Sequence, residues 1–345
     1  MSTRLADLTT LRVGGPAREV VVAETEADLV SAVRDADAAG SPALVVAGGS
    51  NLVVGDAGVD ATVVLVRTRG VSVEADSCAG AWVTVAAGEP WDEVVARAVA
   101  EGWAGVEALS GIPGSCGATP LQNVGAYGQE VAEVIARVRT YDRVAGVQRT
   151  FMAADCGFGY RSSRFKSDPG RYLVLDVAFQ LRLSPTSEPV RYAELARSLG
   201  TDVGSRAPLV EVREAVLALR RAKGMMLDDA DHDTWSVGSF FTNPVLAQAQ
   251  ARLLPEDAPR YPVDDGHVKT SAAWLIERAG VGRGHTLGTA ASVSTKHSLA
   301  LTNGGGASTA DVLALAADVR ERVRDTFGIG LEPEPTLVGC ALPAC

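Results

Sequence analysis

Residues 103–128 constrain this chain more than any other stretch. They are rich in Gly, Pro, Ser and Asn and show few helix or strand signals, yet regular patterns flank them on both sides. An irregular segment of that length inside a compact domain is usually functional. It also carries Ile112, Leu121 and Val124, too much apolar surface for a simple solvent loop. The fold must therefore be a scaffold that holds a long, small-residue loop against something else.

The scaffold reads as alternating strands and helices. Glu19–Ala23 reads as a strand. A helix is expected over 25–39, with Thr25 as N-cap, Asp28 at the third helical position, Leu29 and Val33 on one face, and Gly40 as the stop. Ala43–Ala47 is a short, fully apolar run that suits a buried strand, so the chain opens on a βαβ-like unit. Short strands with glycine turns follow over 59–90, then a helix over 91–101 ended by Gly102. Strands are expected at Val134–Tyr141 and Tyr172–Leu183. Ser184–Pro189 is a turn-rich joint and a candidate domain boundary. Helices are then expected at 208–223, 271–279 and 308–326, the last capped by Ser308. The prolines of Leu331-Glu332-Pro333-Glu334-Pro335 forbid a helix there.

Charge and composition exclude several classes. The chain has 345 residues, enough for two or three domains. Its net charge is −10, with no Lys/Arg tract, whereas nucleic-acid binding normally needs a basic face; no nucleic-acid partner is expected. The opening Met1–Leu8 has no apolar signal-peptide core, and no apolar run approaches the roughly 18 residues of a membrane span. A cytoplasmic protein without membrane insertion is the expectation. Cys78, Cys116, Cys156, Cys340 and Cys345 are widely spaced, with no C-x-x-C pair, and the four histidines form no H-E-x-x-H, so no metal site is expected. Cys340 and Cys345 read as inert tail residues, Asp228–Asp233 as a solvated loop, and Gly280–Gly288 as a turn.

Neither G-x-G-x-x-G nor the P-loop pattern occurs. Gly48-Gly49-Ser50-Asn51 offers another device. It follows a buried apolar run, and successive backbone N–H groups there can form an anion nest, with Ser50 and Asn51 adding donors. Taken alone, that loop is better accounted for by a plain strand-end turn. The second loop, Leu109–Pro120 continuing through Gly128, adds small residues and amide side chains that suit an extended dinucleotide and a flavin ring edge.

Together these two loops resemble the FAD-binding half of the p-cresol methylhydroxylase/vanillyl-alcohol oxidase type of flavoprotein. More narrowly, the chain resembles the UDP-N-acetylenolpyruvoylglucosamine reductase (MurB) family. The opening Thr10-Leu11-Arg12-Val13-Gly14-Gly15-Pro16-Ala17 is similar to that family's T-x-x-x-G-G-x-A pattern. Phe158-Gly159-Tyr160-Arg161-Ser162-Ser163-Arg164-Phe165-Lys166, Gly238-Ser239-Phe240-Phe241-Thr242-Asn243-Pro244 and Leu331-Glu332-Pro333-Glu334 match later motifs. They stand in the family's order and cover almost the whole chain.

The resemblance implies an α+β flavoprotein. Its FAD-binding domain, of the p-cresol methylhydroxylase type with two α/β subdomains, would span 10–185. A smaller α+β substrate-binding domain would span 210–330, and the tail 331–345 would carry a catalytic glutamate back to the flavin. The implied reaction is NADPH-dependent reduction of UDP-N-acetylglucosamine enolpyruvate to UDP-N-acetylmuramate, with non-covalent FAD, in peptidoglycan precursor synthesis. FAD contacts would come from Gly48, Gly49, Ser50, Asn51, Leu52, Ile112, Pro113, Gly114, Gly117, Ala118, Gln122, Asn123, Gly125, Ala126 and Tyr127.

Hydride addition to an enol ether bearing a carboxylate builds enolate-like charge, which pre-placed groups must stabilise. Arg161 supplies a planar cationic fork for the carboxylate. Glu334 helps only when protonated; chemistry alone leaves Glu332 open, and the motif alignment favours Glu334. The family's serine proton donor falls on Ser239. Tyr192 and Lys223 match positions for a ring over the substrate and a cation near its phosphates. Asn243 would bind substrate or orient Ser239, and Lys269 would add a cationic contact. A monomer is expected, with the enolpyruvyl nucleotide-sugar as its small-molecule partner.

Two alternatives remain at this level. A flavin oxidase of the same broad fold would often link FAD through histidine, and no histidine precedes His232; a link through Cys116 or Cys156 stays open. A non-catalytic nucleotide-sugar or flavin binder would not need Arg161, Ser239 and Glu334 together.

Overall fold

The computed structural model describes residues 3–41, 43–76, 78–263 and 266–343; Cys345 lies outside the described residues. The chain forms two compact units. A central unit comprises residues 18–48 and 60–222, and a terminal unit comprises 1–17, 49–59 and 223–345.

The central unit opens with the βαβ arrangement expected from its sequence. Strands Ala17–Ala23, Val59–Val66 and Ala43–Val46 lie side by side in that order, and the last two run parallel with Val45 opposite Val64. The helix Glu26–Ala38 begins at Thr25 because Thr25 and Asp28 close a reciprocal capping box, at 3.1 Å in both directions. Its buried residues Leu29, Val33 and Ala36 recur at helical spacing.

The main sheet of this unit is antiparallel, in the order Val147–Met152, Ile135–Asp142, Tyr172–Leu183, Gly80–Ala86, Val71–Asp76. Period-two burial of Ala81, Val83 and Val85 shows how one strand face makes core. Helix Trp91–Ala100 adds Trp91, Val94, Val95 and Ala98 to that core, with the Trp91 ring 5.7 Å from Phe179.

The terminal unit is built on a small antiparallel sheet, Ser236–Ser239, Ala300–Asn303, Ala291–Val293. Helix Thr309–Phe327 shares its core through Val312, Leu315, Ala316, Val319 and Val323. A Ser308–Asp311 capping box starts the helix, and Asp56 accepts the Thr309 and Ala310 amides at 2.8 and 3.0 Å, where a carboxylate complements the helix dipole. The tail is extended, as its prolines require, and Thr336–Val338 pairs in parallel with Leu52–Val54.

The α+β class matches the expectation, but the compact units divide the chain differently from limits at 185 and 210. Residues 1–17 and 49–59 fold with the C-terminal part because Leu11, Val13 and Val53 pack in one core with Phe240, Phe241 and Leu331. The turn at Ser184–Pro189 does not separate units. Val190, Leu195, Val212 and Val216 pack with Ala108 of the central unit.

Candidate active site

In the central unit the long loop is suspended from regular elements by its backbone. Trp91 is the first residue of its helix; its amide donates to the Gly114 carbonyl at 3.0 Å and its indole N–H to the Leu109 carbonyl at 3.1 Å. Cys116 and Gly117 donate to the Glu89 and Ala87 carbonyls at 2.8 and 2.9 Å. Gly111 is held at both ends of its peptide. Its N–H meets Asp92 at 2.6 Å, and its carbonyl meets Arg220 Nε at 3.0 Å. Asp92 is itself gripped by both terminal nitrogens of Arg213, at 2.6 and 2.8 Å. Burial works to raise the Asp92 carboxyl, but Arg213 and the Gly111 amide outweigh it and hold it below its ordinary value. Burial lowers the Arg220 guanidinium, opposed by Tyr127 and Asp92.

The following segment meets the Tyr160–Lys166 motif. Asn123 is buried; its amide nitrogen donates to Glu130 at 2.7 Å and to the Gly159 carbonyl at 3.1 Å, and its oxygen accepts from Ala132 N at 3.0 Å. Arg161 reaches back to the Gly125 carbonyl at 2.9 Å and the Asn123 carbonyl at 3.4 Å. Ser163 Oγ donates to the Leu121 carbonyl at 2.5 Å. Asn123, Tyr127 and Arg161 have φ of 48°, 49° and 49°, and among the described residues they are the non-glycine residues of this unit in the left-handed region. Such backbone is costly for Tyr and Arg and clusters at functional sites. Tyr192 places its ring edge-on to Tyr127, centroids 5.6 Å apart. Burial pushes the Tyr127 phenol up to about 12.

In the terminal unit, Gly49, Ser50 and Asn51 lead into the strand Leu52–Val54. Gly49 has φ +61°, and a Cβ there would sit 2.0 Å from the Leu8 carbonyl oxygen, so only glycine fits. Asn51 ties this loop to the tail. Its carbonyl accepts from Thr336 N at 2.9 Å and its side-chain nitrogen donates to the Glu334 carbonyl at 3.4 Å. Glu334 N donates to the Phe240 carbonyl at 2.9 Å, and Phe241 bridges Pro333. Ser239 ends its strand just before Phe240 and Phe241, whose buried rings anchor that corner. The structure thus brings Ser239, Glu334 and the Gly49–Asn51 loop into one hydrogen-bonded neighbourhood. Glu334 is half-buried and Glu332 exposed.

The remaining sequence candidates are placed less centrally. Asn243 Oδ1 accepts from Ala272 N at 2.9 Å at the start of helix Ala272–Arg278. Lys269 ends the strand His267–Lys269, opposite Val245 and Tyr261. Lys223 is half-buried at the start of the terminal unit's long segment. Asp92, Glu130 and Arg220 were not singled out from sequence, because no local motif marks them. Asp228–Asp233 is a salt-bridged loop in which Asp231 pairs with Lys296 and Asp233 accepts from Thr295 at 2.8 Å. Among the described residues no His/Cys/Asp/Glu group is arranged to hold a metal ion, and no helix is long and apolar enough to cross a membrane.

Each loop, taken by itself, suits an anionic ligand. Residues 48–51 and 111–118 contain no acidic side chain. A Cβ at Gly48 would lie 2.7 Å from Gly114 Cα, so the two glycine backbones pass in direct contact. Within the second loop the buried Ser115 hydroxyl has no hydrogen-bond partner among the described residues, a donor left for a ligand. Cys116 is buried, and desolvation raises its thiol well above the ordinary value, which suppresses the thiolate that covalent attachment would need.

A mixed sheet scaffold carrying two acid-free glycine loops defines the class, an FAD-binding protein, and residues 17–150 match the FAD binding domain family. Residues 229–338 match the UDP-N-acetylenolpyruvoylglucosamine reductase C-terminal domain. UDP-N-acetylenolpyruvoylglucosamine reductase of Cutibacterium acnes is 58% identical, over 98% of this chain and 90% of that protein; the Salinispora arenicola protein of the same name is 56% identical over 98% and 95%. The crystal structure of the Thermus caldophilus reductase superposes with a TM-score of 0.67 at 25% identity, covering 98% of both chains. The chain belongs to the UDP-N-acetylenolpyruvoylglucosamine reductase family. Membership in a reductase family leaves the oxidase alternative without support.

Proposed function

We propose that this chain uses NADPH to reduce UDP-N-acetylglucosamine enolpyruvate to UDP-N-acetylmuramate, with FAD bound non-covalently, in peptidoglycan precursor synthesis. The observation that carries the reading is the main-chain link from Phe240, next to Ser239, through Glu334 to Asn51, which holds the backbones of the serine corner, the glutamate and the glycine loop together. Full-length kinship to reductases of that name supports the same reading. Bound FAD supplies two-electron hydride chemistry between the nicotinamide and the substrate.

The protein's own groups do the rest. Gly48–Leu52, Ile112–Gly114, Gly117, Ala118, Gln122, Asn123 and Gly125–Tyr127 hold the cofactor. Arg161 is aimed by the Asn123 and Gly125 carbonyls and takes the substrate carboxylate, where enolate-like charge accumulates. Glu334, protonated, donates a hydrogen bond to the same developing charge. Ser239 delivers a proton to the α-carbon, so the double bond gains one hydride and one proton. Tyr192 covers the substrate, Lys223 and Lys269 answer its diphosphate, and Asn243 supports the Ser239 corner. The enzyme works in the cytoplasm as a monomer, without nucleic acid.

The deciding experiment is anaerobic. The purified yellow protein is reduced with one equivalent of NADPH, the enolpyruvyl nucleotide-sugar is added, and flavin absorbance is followed. Prompt return of oxidised flavin with UDP-N-acetylmuramate formed is expected. Flavin that stays reduced until oxygen is admitted overturns the reading.

A further inference from the structure

The motif Thr10–Ala17 marks the chain's kinship but has no role in the chemistry so far. Thr10 is buried, and it bonds in two directions. Its amide donates to the Gly49 carbonyl at 3.3 Å. Its hydroxyl donates to the Ser236 carbonyl, 226 residues along the chain, at 2.7 Å.

Ser236 begins the strand that ends at Ser239. That strand does not run in regular register. Ser236 faces Thr302 and Ser239 faces Ala300, with a shift between them. Such an irregularity re-aims side chains and weakens the hold of the local ladder on them. Phe240 N, just after Ser239, donates to the Leu299 carbonyl at 2.8 Å and holds the strand's far end, and the bonds that hold its near end meet at Ser236. Ser236 Oγ accepts from Gly238 N at 3.2 Å, and its carbonyl takes the Thr10 hydroxyl. The neighbouring Arg12 lies with its guanidinium 4.5 Å from the Trp235 ring centre and pairs with Asp229, at φ 55°. Asn303 clamps the same layer. Its side chain donates to the Leu11 and Arg12 carbonyls at 3.2 and 3.1 Å, and its amide donates to the Trp235 carbonyl at 3.0 Å.

These contacts close a circuit. It runs from Thr10 to Gly49, along the loop to Asn51, across to Glu334, on to Phe240, back through Ser239 to Ser236, and again to Thr10. We propose that Thr10 is a positioning residue for Ser239: its hydroxyl fixes how the bulged strand delivers Ser239, while its amide fixes the Gly49 loop, so the proton donor and the cofactor loop share one reference point. This rests on the role given to Ser239 above. The side chain matters because proton delivery is sensitive to placement; a misplacement of about 1 Å costs up to about a hundredfold.

The test compares holoenzymes carrying Thr10→Val, Thr10→Ser or no change. Valine keeps the shape and the backbone N–H and removes only the hydroxyl; serine restores it. T10V is expected to hold FAD and to be reduced by NADPH within about twofold of wild type, while reoxidation by the enolpyruvyl substrate slows about tenfold, with kcat falling and KM little changed. T10S is expected to regain most of that rate. In the FAD-free proteins, amide hydrogen exchange over residues 236–242 should quicken in T10V and not in T10S, a readout independent of turnover. Equal rates in T10V and wild type overturn the proposal. So does equal slowing of both half-reactions, failure of T10S to rescue, or a T10V chain that cannot retain FAD, since Thr10 would then be a structural tie only. If wild type itself is not reoxidised by the substrate, the reductase reading fails instead, and unchanged exchange in T10V would still reject the positioning role.

Discussion

Replacing Gly49 by alanine puts the first glycine loop under a quantifiable load. Two costs add. The backbone sits at φ +61°, where a side chain costs about 1–2 kcal/mol. The new Cβ would also meet the Leu8 carbonyl oxygen at 2.0 Å and Thr9 Cα at 2.8 Å. Both neighbours are main chain, so no rotamer change relieves the clash and the loop must retreat, adding about 1–3 kcal/mol. Gly328 provides the control within the same unit. It caps helix Thr309–Phe327 at φ +69° with nothing within 4 Å of its would-be Cβ, so Gly328→Ala carries the dihedral cost alone. The expected losses are about 1–2 kcal/mol for G328A and about 2–5 kcal/mol for G49A. Urea unfolding of the FAD-free proteins reads both. FAD affinity, followed by the flavin's own fluorescence, should fall at least about tenfold in G49A and stay near wild type in G328A. Equal destabilisation in the two variants would refute the packing of this loop on Leu8. Unchanged FAD affinity in G49A would remove the loop from the cofactor site.

Three further outcomes are expected. Ser239→Ala should leave flavin reduction by NADPH near normal and stall reoxidation by the enolpyruvyl substrate; comparable slowing of both half-reactions in stopped-flow traces would take the proton-donor role away from Ser239. Asp92 has a depressed carboxyl in the folded state, so its contribution is full above the ordinary value of 3.8 and is lost as pH falls through the lower folded value. Asp92→Asn should therefore cost about 1 kcal/mol at pH 7, a figure already reduced for the partial exposure of the pair, and the gap to wild type should close below about pH 4; a gap equal at pH 7 and pH 3 contradicts the assignment. Acid denaturation should release all the yellow colour into solution, because the buried Cys116 thiol is held protonated and no histidine precedes His232. Flavin that stays with the precipitated chain would show a covalent link.

Local signals carried much of the fold. Thr25 with Asp28, and Ser308 with Asp311, start their helices where the capping pattern says they should, because those bonds span three residues. The apolar run at 43–46 and the alternation at 80–86 are strands for equally local reasons. The glycine loops were visible as composition, although what holds them was not. Gly111 depends on Asp92, nineteen residues earlier, and in sequence Asp92 looks like any acidic residue in a helix's first turn. The left-handed backbone at Tyr127 and Arg161 could not be read from residues that normally avoid it. The division of the chain was hidden for a stronger reason. Leu11, Val13 and Val53 are ordinary apolar residues of the N-terminal region, and only their joint packing with Phe240, Phe241 and Leu331 moves residues 1–17 and 49–59 into the terminal unit. That packing has a chemical consequence. It puts Gly49, Thr10, Ser239 and Glu334 in one compact body although up to 285 residues of chain separate Gly49 from Glu334. The hydroxyl and the carboxyl proposed for the chemistry and Gly49 of the first loop then belong to one unit.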